Sequence, residues 1–185
     1  MSAKRFLSLV VALVLPVGVA LGSRCVAAQT ISLRSGSFAA GGRIPLRYAS
    51  TLCAGGNVAP SLWWSGMPAL TRSIMLTVRD PQGRGGAGLW HWIVYDVPPS
   101  ANGIPASADG RVVPPGAVTA TNGHGLRGYS GPCPPRGETH RYTFVVYALD
   151  ESFVQVKASV RPRDLLGSIS SHVLATGSLV GTYSR

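Results

Sequence analysis

Four polar side chains stand out because the sequence around them is otherwise apolar. Asp80 closes the alternating run Ser73–Asp80 (SIMLTVRD), and Pro81 stops whatever ladder that run forms. His91 lies between Trp90 and Trp92 in a segment too apolar to require a histidine. His140 and Tyr142 are two residues apart at the head of another apolar and aromatic run, so on a strand both point to one face. If these segments are neighbours, Asp80, His91, His140 and Tyr142 converge on one rim. A carboxylate beside an imidazole fixes its tautomer and favours its protonated form. The two imidazoles and the phenol could then donate to the oxygens of an anion. The same Asp80, His91 and His140 also have the composition of a two-histidine, one-carboxylate metal site that could support hydrolysis. Against an enzyme, the chain has no GxSxG elbow, and Cys133, the nearest nucleophile, is expected to be oxidised. The plainer reading of each histidine is a hydrogen-bonded structural residue. His124 reads as loop and His172 as a helix residue, and Trp63, Trp64, Trp90 and Trp92 as core.

The elements that must position these groups are mostly strands. Ile74, Leu76 and Val78 alternate with Met75, Thr77 and Arg79, and Leu89 to Asp96 (LWHWIVYD) is aromatic and β-branched enough for a central strand. Arg141 to Leu149 (RYTFVVYAL) is the third strong strand. Thr30 to Leu33, Arg43 to Tyr48, Leu62 to Trp64 and Ser178 to Tyr183 are shorter candidates. One helix is expected from Asp164, with Leu165, Leu166, Ile169, Val173 and Leu174 on one face and Gly177 ending it. The Gly/Pro-rich connection from Pro98 to Gly137 is too long for a turn and must be ordered by its own contacts. Its end, Gly131-Pro132-Cys133-Pro134-Pro135, is stiffened by proline, and a preorganised loop loses less entropy when it binds a small ligand. No internal repeat or second domain is visible. A β-sandwich with a helix near the C-terminus is predicted.

The first 28 residues read as a signal peptide. Lys4 and Arg5 precede an apolar run from Phe6 to Leu21, and Val26-Ala27-Ala28 supplies small residues before a cleavage point at Gln29. An uncleaved anchor is the rival, since the run is only just short of the roughly 20 residues of a span. Lipoprotein processing at Cys25 would need a small residue where Arg24 stands. The expected mature domain, residues 29–185, is exported to the periplasm or secreted. Three of the 17 basic residues lie in the leader, which lowers the formal charge from +10 to +7. Within residues 29–185 every basic residue but Lys157 is an arginine, favouring anionic partners; being scattered, they do not suggest nucleic acid. Cys53 and Cys133 could pair in an oxidising compartment, the alternative being two free buried thiols.

Taken in order, several strings resemble the phosphatidylethanolamine-binding protein family, in particular its bacterial Raf-kinase-inhibitor-like branch. They are Cys53, Gly55-Gly56-Asn57, Ala59-Pro60, Leu62-Trp63-Trp64-Ser65-Gly66, Asp80-Pro81, Trp90-His91-Trp92, Gly131-Pro132-Cys133-Pro134-Pro135, Gly137, His140-Arg141-Tyr142 and Gly181-Thr182-Tyr183. The resemblance implies a two-sheet antiparallel β-sandwich and a small pocket for phosphate or a phospholipid headgroup. Carried onto this chain, that pocket is Asp80, His91, Gly131, Pro132, His140 and Tyr142. It also implies a non-catalytic protein without a cofactor, able in some members to inhibit a protein partner. The chain departs from the family pattern at Gln82, where a second aspartate is usual, and at Gly83-Arg84 in place of Ala-Pro. Loss of that acid removes one partner for a ligand ammonium, and Arg84 adds positive potential at the mouth. A surface-interaction protein using its basic face is the third class left open.

Overall fold

The computed structural model describes residues 30–152 and 161–185, so the expected signal peptide and its cleavage point lie outside the described residues. Among the described residues ten strands and one α-helix follow in chain order: β1 (Ser32–Ser35), β2 (Val58–Ala59), β3 (Leu62–Ser65), β4 (Ser73–Asp80), β5 (Leu89–Val97), β6 (Gly103–Ile104), β7 (Ser107–Ala108), β8 (Val118–Thr119), β9 (Thr139–Leu149), α1 (Pro162–Ile169) and β10 (Val173–Ser184). A five-stranded sheet runs β10-β9-β4-β5-β8, a three-stranded sheet runs β1-β3-β6, and β2 pairs with β7. All of these pairings are antiparallel.

Alternation along β4 and β9 gives the large sheet two apolar faces. Ile74, Leu76 and Val78 join Tyr142, Phe144, Val146 and Ala148 on the inner face, packed against Leu33, Leu62, Trp64 and Ile104 of the small sheet. Met75, Ile93, Tyr95 and Leu149 form the outer face, where Leu165 and Ile169 of α1 cover them. The fold is therefore the expected antiparallel sandwich with one short helix near the C-terminus.

The helix is shorter than its apolar periodicity suggests. Asp164 lies in its first turn and Leu165 and Ile169 face the core, but it ends at Ile169. Gly167, Ser168, Ser170 and Ser171 are weak helix formers. Beyond them the free edge of β9 offers a long ladder, and Val173 onward takes it. Gly177 thus sits inside β10 rather than ending a helix, and a Cβ there would lie 2.2 Å from the Ile31 carbonyl oxygen. His172 lies past the helix, its Nδ1 2.9 Å from Asp150 Oδ1. The Arg43–Tyr48 candidate is also corrected. Ile44 N–H donates to Thr182 O in a single parallel bridge, then Pro45 ends the pairing and Leu46–Tyr48 forms a 3-10 turn. Of the tryptophans, Trp64 and Trp92 are buried in the core, whereas Trp63 is 45% exposed and Trp90 lies under the Arg79 guanidinium.

Candidate functional site

Two features of the large sheet bring the singled-out residues together. The β4–β9 register pairs Arg79 with Thr143, and continuing it by one places Asp80 opposite Tyr142. On the other side β5 pairs Trp92 with Val78 but Trp90 with Arg79, which leaves His91 as the extra residue of a bulge. Straight alternation would send His91 and Trp92 to opposite faces; the bulge turns both toward the sandwich interior. His91 consequently packs edge-on against the Tyr142 ring, centroids 5.1 Å apart.

A cavity of about 260 Å³ opens here, lined by Asp80, His91, Gly131, His140 and Tyr142 together with Arg84, His124 and Glu138. That volume suits a small ligand or headgroup rather than a larger molecule. Pro132, expected in the pocket, is not among the lining residues, and its carbonyl accepts from Ser50 N–H at 3.0 Å. Cys133 is bonded to Cys53 across a separation of 80 residues. In the chain-entropy model, closing a loop of that size stabilises the fold by about 4 kcal/mol. The same bridge holds the proline-rich loop to the 3-10 turn that carries Cys53.

His140 is held as an imidazolium. Its Nδ1 lies 2.7 Å from Asp80 Oδ2 and its Nε2 lies 2.8 Å from Glu138 Oε2, so each nitrogen donates to a carboxylate. Burial opposes the charge, but the bonds to Asp80 and Glu138 and their negative charges outweigh it and raise the pKa above the usual histidine value. The other oxygen of Asp80 accepts from the backbone N–H groups of Gln82 and Gly83 at 2.9 and 3.0 Å. Tyr142 donates its hydroxyl to Asp80 and accepts from Cys133 N–H; burial first, then the charge of Asp80, raises its pKa.

His91 is the opposite case. Its Nδ1 lies 2.6 Å from the Ser130 carbonyl oxygen, which can only accept, so Nδ1 carries the proton. Burial is the main cause that lowers its pKa to about 4, so the ring is neutral at neutral pH and Nε2 presents a lone pair. Nε2 is buried and makes no hydrogen bond.

These details correct the expected donor set. In the cavity as it stands, His91 Nε2 is an acceptor, the Tyr142 proton goes to Asp80, and the outer nitrogen of His140 is already taken by Glu138. Nor is the hollow net positive: among its lining residues Asp80 and Glu138 offset His140 and Arg84. Arg84 does sit at the mouth, where its guanidinium donates to the Gly123 carbonyl. A metal finds little to hold, since both His140 nitrogens are protonated and both cysteines of this region are bridged. Among the described residues no group of three or more His, Cys, Asp or Glu is placed to share an ion.

Glycine at 131 serves the protein's own backbone. A Cβ there would lie 2.4 Å from the Tyr48 carbonyl oxygen and 2.5 Å from Ser50 N, so only glycine lets this loop lie against residues 48–50. Asn57, itself in the left-handed region, ties the loop from beneath, accepting from Gly131 N–H at 2.8 Å and donating to Tyr129 O at 3.2 Å. Gln82 accepts from Arg141 N–H at 2.9 Å and donates to Thr139 O at 3.4 Å, a two-way bond that an ionised aspartate could not make. Glu138 and Asn57 were not singled out from the sequence as site residues. Glu138 was legible in principle, because it continues the two-residue spacing of His140 and Tyr142.

Comparison with known proteins agrees with this architecture. Residues 34–184 match the family model described as phosphatidylethanolamine-binding protein. A UPF0098 protein of Methanothermobacter thermautotrophicus is 36% identical over 157 residues, covering 84% of this chain and 99% of that one. UPF0098 protein YbcL of Escherichia coli is 37% identical over 135 residues, covering 71% of this chain and 74% of the relative. The crystal structure of E. coli YbcL, described as a new member of the mammalian PEBP family, superposes with a TM-score of 0.79 at 32% identity, covering 84% of this chain and 98% of that one. The sandwich, the cavity at the β4–β5–β9 ends and these matches lead to one conclusion: the chain belongs to the phosphatidylethanolamine-binding protein family.

Proposed function

We propose that the protein is an exported, non-catalytic binding protein whose cavity takes the phosphate of a small anion or of a phospholipid headgroup. The observation that carries this reading is the carboxylate oxygen of Glu138, 2.8 Å from the outer nitrogen of a histidine held cationic by Asp80. An oxyanion of the protein's own already occupies the position a ligand oxygen would take. The Glu138 side chain is 55% exposed, so it can swing out to solvent, while His140 and Asp80 stay fixed in the wall. A doubly charged phosphate gains more from the imidazolium than a carboxylate does, which is why exchange can run in the ligand's favour. Once Glu138 has left, the cavity charge becomes positive and the proline-stiffened loop needs no further ordering.

Residues 29–185 form the binding unit in this reading. Export is supported by the leader-like sequence, by the Cys53–Cys133 bridge and by a Mycobacterium tuberculosis relative that carries the word lipoprotein in its name. A metal-dependent hydrolase is disfavoured because His140, donating from both nitrogens, has no lone pair for an ion.

Calorimetric titration with inorganic phosphate tests the proposal. Binding is expected in the wild type, weakened at least about 10-fold in His140→Asn, where a charge-assisted bond is lost, and strengthened about 5-fold in Glu138→Ala, where the competitor is gone. No heat in the wild type or in Glu138→Ala contradicts the reading.

A further inference from the structure

His91 is only 2% exposed and forms part of the cavity wall. The Ser130 carbonyl holds the proton on Nδ1, and the Nε2 lone pair is buried without a donor. The groups that face this ring come from every neighbouring element. Asp80 on β4 draws a proton toward it, His140 on β9 and His124 in the 120s loop oppose one, and the Tyr142 ring packs edge-on. None of them donates to Nε2. A buried acceptor left unpaired is costly, so whatever fills the cavity is favoured if it brings a hydrogen of its own.

Building on the anion-pocket reading above, we propose that His91 Nε2 makes the cavity selective for an oxyanion that carries a proton. Hydrogen phosphate and the monoanion of a phosphomonoester are such ligands; sulfate is not. In the bound state the P–OH donates to His91 Nε2 while an unprotonated oxygen replaces Glu138 on His140 Nε2. One ligand then satisfies an acceptor from β5 and a donor from β9. Sulfate offers lone pairs at both places and leaves Nε2 unpaired. A phosphodiester lacks the hydroxyl as well, which places a phosphomonoester lipid ahead of a diester lipid.

The test is calorimetry at pH 7 with inorganic phosphate and with sulfate, each run in buffers of different ionisation enthalpy. Phosphate is expected to bind about 10-fold or more tightly than sulfate, the factor for one buried unpaired acceptor. The preference should collapse in His91→Phe, which keeps the ring and loses both nitrogens. If that variant does not fold, the wild-type ratio and the buffer dependence decide alone. Equal affinities, with sulfate drawing a proton onto the protein, overturn the proposal while leaving the anion pocket standing. Binding of neither ion sinks the pocket reading and this one together. Phosphatidate and phosphatidylglycerol vesicles separate the sources. Phosphatidate bound in preference to phosphatidylglycerol assigns a lipid phosphomonoester, and free phosphate bound without either vesicle assigns the soluble ion. Phosphatidylglycerol bound as tightly as phosphatidate overturns the proton rule.

Discussion

Two histidines lining one cavity are driven in opposite directions by their surroundings. His140, between two carboxylates, is raised, whereas His91, against a carbonyl in a buried wall, is lowered to about 4. The signs have different consequences for stability. A raised histidine contributes stability that is complete below its unfolded value near 6.5 and lost as pH climbs through its folded value. A lowered histidine contributes a loss instead: below pH 6.5 the unfolded chain takes up a proton that the folded chain refuses. Between pH 6.5 and 4, His140 is protonated in both states and its contribution is constant, so His91 governs the histidine share of the slope. Full development of that shift is worth roughly 3 kcal/mol. His124, lowered by partial burial and by Arg84, acts in the same direction. Denaturant unfolding at pH 6 and pH 5 should therefore show lower stability at pH 5, with a smaller decline in His91→Phe. The same decline in both proteins would mean that the ring is not held neutral as described.

At the scale of elements, the strong strands were legible because alternation and β-branched content agree over β4, β5 and β9. The ambiguous stretches were those where local preference and tertiary pairing disagree. Val173 and Leu174 continue a helical stripe on paper, yet the edge of β9 recruits them into β10. Arg43–Tyr48 looks like a strand but meets Pro45 after a single bridge. The candidate site was legible in its wall residues, and its polarity was not. Which nitrogen of His91 carries the proton depends on the Ser130 carbonyl and on a bulge, and neither leaves a sequence signal. Gly131 illustrates the same limit, because its reason is contact with the backbone of residues 48–50. Gly131→Ala must push that loop outward and is expected to cost about 1–3 kcal/mol, as overpacking does, while weakening phosphate binding. An unchanged denaturation midpoint with unchanged affinity would show that the loop is not pinned there.

Over the whole molecule, the formal charge of +10 and the cavity chemistry are separate matters. Scattered arginines draw anionic surfaces in a salt-dependent way, whereas a ligand bound as proposed, between His91 and His140, would be screened much less. Among the described residues, no helix is long and apolar enough to cross a membrane. The sandwich supplies rigid walls, the disulfide ties the proline-rich loop to them, and of the two carboxylates lining the cavity Asp80 is buried while Glu138 is exposed. The most direct measurement is the imidazole nitrogen NMR spectrum at pH 7 with and without inorganic phosphate. Before phosphate is added, His140 should be protonated on both nitrogens and His91 on Nδ1 alone. Saturable shifts of His140 Nε2 and His91 Nε2 should follow its addition, with His172 unmoved. Phosphate that leaves both cavity histidines unshifted, or shifts all four histidines alike, would contradict the proposed binding.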